Sequence, residues 1–532
     1  MIRRCLLMKV LVLDGVSEKA VAILRENGIE ADVSPTLPLD ELIAKIPEYE
    51  GMIVRSQTKV TAEVINAGEK LKVIGRAGVG VDNVDVDAAT KRGVIVMNAP
   101  DGNTISTAEH TVAMIMALSR NIPQAHAALK EGRWDRKKYT GVEVNGKVLG
   151  IIGLGRIGAE VAKRMMVMGM TVLALDPFMT EEKAERMGIR LVSLEELLAE
   201  ADYITVHTPL TPETKGILNA ETLRQTKKGV RIINCARGGI VDEEALADAI
   251  EAGHVAGAAL DVYTTEPPTN PRLISLPQVV TTPHLGASTQ EAQVNVAVDV
   301  AVEMSKALKG ESFKNALNIP SVRPEVLKVL QPYFSLAEKL GVFLTQLADG
   351  RMSKVEIEFS GEIANYDVSP LTTLIIKGIL RPALNGEVNM VNAPVLAKQR
   401  GLKISERKEV SNADYANKLK VRTVTAQGEI VIAGTLLRQN DERVVEINGY
   451  HFDVVPHGNI LIAPHTDRPG IIGQVGSLLG EAGINIAFMQ VGRKEVGGSA
   501  IMALTVDGPV PQDVLEKIKK VDGVEDARQV RL

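Results

Sequence analysis

Arg237, Glu266 and His284 each lie in a polar loop that directly follows a short apolar run, within the strings NCARGG, DVYTTEPP and TPHLGAST. Oxidation of a secondary alcohol by a dinucleotide needs a base for the hydroxyl proton, a group that keeps the base in place, and a cation that positions the substrate. His284 can serve as the base, Glu266 as the acceptor that orients its imidazole, and Arg237 as the fork that clamps a carboxylate or carbonyl. Singly, an Arg-Gly turn, a Glu before two prolines and a capping His are bland. Their joint placement on one nucleotide-binding sheet makes them a candidate catalytic set.

That sheet is announced by Lys147 to Asp176, KVLGIIGLGRIGAEVAKRMMVMGMTVLALD. VLGII reads as a strand, GLGRIG as a turn into an uninterrupted helix, and TVLALD as a second strand ending in an acid. Gly153 permits the tight turn, Gly155 lets the backbone approach a pyrophosphate, and Gly158 lets the helix pack closely on the sheet. The helix N-terminus, where Arg156 and Ile157 stand, then holds the negative charge. Asp176 follows Gly153 by 23 residues, where a carboxylate accepts hydrogen bonds from both ribose hydroxyls and repels a 2′-phosphate. Pro177 comes next with no adjacent arginine, so NAD is favoured over NADP.

The elements around this stretch alternate strand and helix, the mark of parallel sheets. Upstream run KVLVLDG, EKAVAILRENG, GMIVRS, AEVINAGEK, LKVIGRAGVG and VIVMNA. Loops at the carboxyl ends of such strands form the ligand crevice, which puts Arg55, Ser56 and the loop Gly78 to Asn83 on one rim as candidate anion contacts. GVGVDN begins like a dinucleotide turn but lacks the third glycine. Asn103 to Asn121 reads as a long helix capped by its Asn, Ser and Thr residues, apolar almost all round and therefore buried between two domains. His110 on it reads as a hydrogen-bonded interior histidine. The basic run Arg133 to Lys138 carries the only tryptophan and reads as a solvated loop able to reach a phosphate. Downstream, YITVH, VRIINCA, AGAALDV and VVTTPH complete an expected six-strand nucleotide domain, with the chemistry at the strand-end loops.

Composition narrows the field. The 532 residues suggest three or four domains at about 150 residues each. A net charge of -5 and 3% aromatics argue against nucleic acid as a partner. Only Cys5 and Cys235 occur, so no disulfide framework exists, a reduced cytoplasmic setting is natural, and no metal site is expected. Arg3 and Arg4 before an apolar run mimic a signal peptide, but Lys9 and Asp14 interrupt it, so it reads as a first strand with a short leader. No uncharged run approaches the ~18 residues of a membrane span.

The strings GLGRIG, HTPLTPETK, NCARGGIVDE, DVYTTEPP and PHLGASTQEAQ resemble the D-isomer-specific 2-hydroxyacid dehydrogenases. VRSQTKVT, GRAGVGVDNVD and WDRKKYTG narrow the resemblance to the branch that oxidises 3-phosphoglycerate, over Met8 to about Asn315. The resemblance implies the three catalytic roles above and substrate contacts from Arg55, Ser56 and the amides of Gly78 and Val79. It adds a phosphate-holding role for Arg136, Lys137 and Lys138 across a dimer interface. It also implies NAD contacts at Gly153, Gly155, Arg156, Ile157, Gly158, Asp176, His207, Thr208, Pro209, Ala236, Asp261, Gly286 and Ala287. The first strands, completed by a helix at Gln290 to Lys309, would form a substrate domain with the NAD domain inserted in it.

After Pro320 and Pro324 the pattern changes. A helix, PYFSLAEKLGVFLTQLA, leads to the strand KVEIEFSGEIA, an apolar helix around LTTLIIKGIL, and strand-rich sequence to Val455. This resembles the intervening domain of long-form members of that branch, with Lys377, Arg381 and Lys398 as possible anion contacts. From Asn459 the order is βαββαβ, the ferredoxin-like plan. HTDRPGIIGQVGSLLGEAGINIA resembles an ACT regulatory domain, which implies L-serine bound between two subunits by His465, Asp467 and Asn485. An open sheet edge favours pairing of two such domains.

The expectation is therefore an α/β chain of two doubly wound parallel-sheet domains, substrate and Rossmann-like NAD, followed by an α+β intervening domain and the ACT domain. The expected boundaries are 8–103 with 290–316, then 104–289, 317–455 and 458–532. The expected activity is NAD-dependent oxidation of D-3-phosphoglycerate in serine biosynthesis, under serine feedback, in a cytoplasmic homodimer or homotetramer. Two alternatives stand beside it: a glyoxylate or hydroxypyruvate reductase of the same family, and a dinucleotide-sensing corepressor.

Overall fold

The structure is a computed structural model that describes residues 8–269, 271–320, 322–384, 388–410, 414–425, 428–438 and 440–532. The leader read at residues 1–7, with Cys5, lies outside the described residues. The described strands build four sheets.

The first is all parallel, in the order Glu30–Val33, Lys9–Val12, Gly51–Val54, Val73–Arg76, Ile95–Asn98. Glu30–Val33 was not among the expected strands, because EADV is half polar and sits at an edge where one flank is wet. The helix Gln290–Lys309 returns to this sheet, and Val296, Val300 and Met304 pack against Val10, Val12 and Ile53. A Cβ on Gly75 would stand 2.3 Å from Val300 Cγ1, so the helix lies directly on the strand.

The second sheet is also parallel, in the order Val279–Thr281, Val255–Leu260, Val230–Asn234, Tyr203–Val206, Val148–Ile152, Thr171–Leu175, Arg190–Leu191. It has seven strands rather than six. The seventh, Arg190–Leu191, is too short to carry a periodicity. Strand order reverses between Val148–Ile152 and Tyr203–Val206, which opens the crevice above the glycine turn.

The helix Thr104–Arg120 packs on this sheet through one stripe, Thr107, Thr111, Met114, Ile115 and Leu118, rather than being buried all round. Ile105, 49% exposed, shows that an apolar residue off the stripe faces outward. Asn103 does not cap the helix with its side chain; its Oδ1 is buried without a partner.

The third sheet is mixed, in the order Lys403–Glu409, Lys354–Gly361, Asn417–Thr425, Gly428–Leu436, Glu442–Ile447, Tyr450–Val454, with only the first pair parallel. The fourth is antiparallel, in the order Ile486–Arg493, Ser499–Val506, Asn459–Thr466, Arg528–Arg531. Alternation along Asn459–Thr466 sends Leu461 and Ala463 to the helices Ile471–Glu481 and Gln512–Lys519. Ile460 and Ile462 point the other way and join Phe343, Ile357 and Ile375 in one core. The third and fourth sheets are therefore welded by apolar packing, each buried large side chain contributing about 1.5–3 kcal/mol. No helix of the described residues is long and apolar enough to cross a membrane.

Candidate active site

The carboxyl ends of the second sheet bring His284 and Glu266 together. His284 Nδ1 lies 2.8 Å from Glu266 Oε2, and Glu266 Oε1 accepts the amide of Tyr263 at 3.2 Å. The acid is thus held from behind while it orients the ring, whose Nδ1 donates and whose Nε2 is left as the basic nitrogen. His284 is about half exposed, so that nitrogen is reachable. Its φ of 56° is left-handed, which costs a non-glycine residue about 1 kcal/mol or more. The turn is imposed by Asp261, whose carbonyl accepts the amide of His284 at 2.9 Å and whose carboxylate accepts the amides of Leu285 and Gly286 at 2.7 and 2.8 Å.

Arg237 follows the strand Val230–Asn234, and the buried Asn234 shapes its turn by donating to Arg237 O at 2.9 Å and accepting from Ala236 N at 3.0 Å. Its guanidinium crosses to the first sheet's rim, with Nε 3.4 Å from Asp82 Oδ2. A Cβ on Gly80 would stand 2.2 Å from Arg237 Nη2, so the guanidinium lies directly against this loop. Arg55 is pinned by its backbone: its amide donates to Asp14 Oδ2 at 2.9 Å and its carbonyl accepts Asn83 Nδ2 at 2.7 Å. Ser56, next to it, is exposed.

Sequence reasoning missed Arg76. It ends the strand Val73–Arg76, and its guanidinium fills the space a Cβ on Gly78 would take, with Nη1 1.4 Å away. Burial first, then the charges of Arg237 and Arg55, lower its pKa to about 10 against the pull of Asp82 and Asp14. Its Nε is buried without a partner. Three guanidiniums thus converge on one cleft, a setting for a multiply charged anion. The signal was available, since Arg76 ends its strand just as Arg55 follows its own. In the same loop the amide of Gly78 donates to Arg76 O at 2.8 Å.

The turn at Gly153 to Gly158 fits a dinucleotide. Gly153 has φ +95° under His207 and Thr208, and a Cβ on Gly158 would meet Gly153 O at 2.2 Å. Gly155, in contrast, has no protein atom within 4 Å of where its Cβ would stand, so the backbone is bare on the outer side. Asp176 accepts the amide of Leu154 at 2.8 Å through Oδ2 and that of Phe178 at 2.8 Å through Oδ1, which braces the carboxylate beside the turn. Thr208 Oγ1, over Gly153, is buried and lacks a partner. Arg156 reaches across to Asp101, Nε to Oδ1 2.6 Å. Ile157 and Ala287 are half-buried and Pro209 is exposed.

His207 bonds Thr205 Oγ1 at 3.0 Å, and burial pulls its pKa down to about 4, so it is neutral near pH 7. Asp261, expected as a cofactor contact, is fully buried, and its carboxylate accepts from Thr282 Oγ1 and from the amides of Leu285 and Gly286. Cys235, behind Arg237, is pushed up to about 12 by burial and by Asp261, and is no nucleophile.

Other expected residues stay apart. Arg136, Lys137 and Lys138 are exposed, and none has a hydrogen bond or ion pair to a cleft residue among the described residues; Lys138 lies over the ring of Tyr139 at 6.0 Å. Lys377 and Arg381 are not free anion contacts, because Glu338 binds both, at 2.8 and 3.2 Å, while Lys398 is exposed. His465 is buried, with Nδ1 3.1 Å from Ala463 O, and Arg493 beside Asp467 holds that carboxyl below the usual range. Asn485, bonded to Asp507 at 2.8 Å, lies at the other end of the strand Ile486–Arg493, roughly 23 Å away at 3.3 Å per residue.

Comparison with known proteins agrees with this geometry. The description "D-isomer specific 2-hydroxyacid dehydrogenase, NAD binding domain" matches residues 112–286, "D-3-phosphoglycerate dehydrogenase intervening domain" residues 329–448, and "ACT domain" residues 464–523. The D-3-phosphoglycerate dehydrogenase of Synechocystis sp. is 49% identical over 98% of this chain and 95% of its own. That of Archaeoglobus fulgidus is 48% identical over 99% of this chain and all of its own, 100%. Among solved structures, the TT0316 protein of Thermus thermophilus is 37% identical with a TM-score of 0.54, covering 58% of this chain and 100% of that one. The D-lactate dehydrogenase of Aquifex aeolicus, complexed with NAD and lactic acid, is 29% identical with a TM-score of 0.52, covering 59% of this chain and 100% of that one. With the glycine turn, the His284–Glu266 pair and relatives matched over nearly the whole length, the chain belongs to the D-3-phosphoglycerate dehydrogenase family.

Proposed function

We propose that the chain oxidises the C2 hydroxyl of D-3-phosphoglycerate to 3-phosphohydroxypyruvate with NAD, the first step of L-serine biosynthesis. The observation that carries the chemistry is the His284–Glu266 pair, set on the same cleft as Arg237. When bound, NAD supplies the nicotinamide that accepts the hydride leaving C2. His284 Nε2 takes the hydroxyl proton, and Glu266 steadies the ring as it gains charge. Arg237 forks onto the substrate carboxylate and the forming carbonyl, while Arg55 and Arg76 supply positive charge for the phosphate. Gly155 gives the pyrophosphate its close approach, Thr208 a hydroxyl, and the braced Asp176 the ribose-facing carboxylate.

The ACT unit gives this enzyme an amino-acid-binding regulatory region. Our reading is that L-serine binds where two copies pair, with His465 and Asp467 from one chain and Asn485 from the other. The separation of these residues within a chain supports a second copy as the supplier. The same pairing logic gives Arg136, Lys137 and Lys138 to the cleft of a partner in a homodimer or homotetramer. The proposed units are 8–103 with 290–316, 104–289, 317–455 and 458–532.

NADH formation from 3-phosphoglycerate, and from glycerate without its phosphate, with and without L-serine, tests the reading. The phosphorylated acid should be strongly preferred and serine should slow its turnover. Equal use of both acids would favour a general hydroxyacid reductase instead.

A further inference from the structure

Asp261 is the fixed point behind the catalytic loop. Its side chain is 1% exposed and takes four donors: Thr282 Oγ1 at 2.6 Å, the amides of Leu285 and Gly286 at 2.7 and 2.8 Å, and His110 Nε2 at 3.2 Å. His110 comes from outside the sheet, on the helix Thr104–Arg120, and its Nε2 is also 3.2 Å from Thr282 Oγ1. The Thr282 hydroxyl directs its proton to Asp261, so its oxygen is an acceptor toward His110. A carboxylate and an accepting hydroxyl can both be satisfied only by an Nε2 that carries hydrogen, and that N–H is shared between them. Its helix is thereby bolted to the group that shapes residues 284–286.

We infer that His110 is a positioning residue for proton transfer at His284, acting through Asp261 and Thr282 to hold the 284–286 loop where His284 meets Glu266. This rests on the function proposed above. A carboxylate that no solvent reaches keeps its orientation only through its donors, and two of the four come from the very loop being positioned. The remaining two, Thr282 and His110, are what fix the carboxylate independently of that loop. Without His110 the carboxylate rocks about a single anchor, and the left-handed turn at His284, φ 56°, loses its template.

The test compares His110→Leu with His110→Gln in the full-length protein. The glutamine places an amide N–H where the ring N–H stood; the leucine fills the volume and donates nothing. Two measurements are made: kcat and KM for 3-phosphoglycerate, and hydrogen exchange of the Leu285 and Gly286 amides in the absence of substrate. H110L should lose about tenfold in kcat, with KM and NADH affinity within about twofold, the scale of one lost charge-assisted hydrogen bond. The two amides should exchange about tenfold faster. H110Q should keep at least about half of kcat and the slow exchange. Wild-type kcat and exchange in H110L would overturn the inference, as would equal losses in both variants together with loss of NADH binding and of melting temperature. The exchange measurement needs no substrate, so it decides the role of His110 even if 3-phosphoglycerate proves not to be oxidised.

Discussion

Nδ1 of His284 faces Oε2 of Glu266 at 2.8 Å, while the other oxygen of that carboxylate is tied to the backbone of Tyr263 at 3.2 Å. The pair is a lever with a fixed fulcrum, and its two ends should fail differently. His284→Ala removes the base and should lower kcat by about a thousandfold with NADH affinity nearly unchanged. Glu266→Gln keeps an oxygen for the ring but not the charge, and should cost about ten- to a hundredfold. Stopped-flow NADH formation separates these from binding; a His284→Ala enzyme that turns over normally removes it as the base.

The glycines of the turn make opposite predictions. Gly158→Ala puts a methyl 2.2 Å from the carbonyl of Gly153, so backbone must shift, and we expect a loss of about 1–3 kcal/mol in urea unfolding. Gly155→Ala meets no protein atom within 4 Å and should melt like the parent, yet bind NADH at least about tenfold more weakly because the methyl occupies the pyrophosphate's approach. Unchanged NADH affinity in Gly155→Ala would move the phosphate elsewhere.

Arg76→Gln removes the guanidinium that shares the cleft with Arg55 and Arg237. KM for 3-phosphoglycerate should rise about tenfold with kcat within about twofold, whereas Arg237→Lys, which loses the fork, should lower kcat as well. Steady-state kinetics of the two variants side by side checks the division of labour.

His207 should make stability depend on pH. Burial lowers its pKa to about 4, beneath the unfolded value of about 6.5. The neutral form is the one the fold prefers, so its contribution is complete above pH ~6.5 and is lost as pH falls toward ~4. His207→Gln should flatten that part of the stability profile by about 1–3 kcal/mol, measured by urea unfolding across the range. An unaltered slope would show that another group carries the acid sensitivity.

How much was legible depended on the kind of signal. Strands with a clean apolar run, such as VLGII and YITV, were visible because burial on both faces of a parallel sheet demands continuous hydrophobicity. Glu30–Val33 and Arg190–Leu191 were not, because an edge strand or a two-residue ladder is held by neighbours rather than by its own pattern. Lys377 and Arg381 read as anion contacts until Glu338, some 40 residues away in sequence, was found between them.

By itself, the amino-acid sequence determined the local chemistry: the glycine turn, the acid after the second strand, and the presence of a base, an acid and an arginine at strand ends. Those follow from short-range geometry, in which a few residues at set spacing leave the backbone one conformation. Only the tertiary structure decided which groups share a partner. It placed Arg76 beside Arg237, buried Asp261 behind the 284–286 loop, and set Asn485 at the far end of its sheet from His465. Contacts of that kind join residues far apart in the chain, and no periodicity records them.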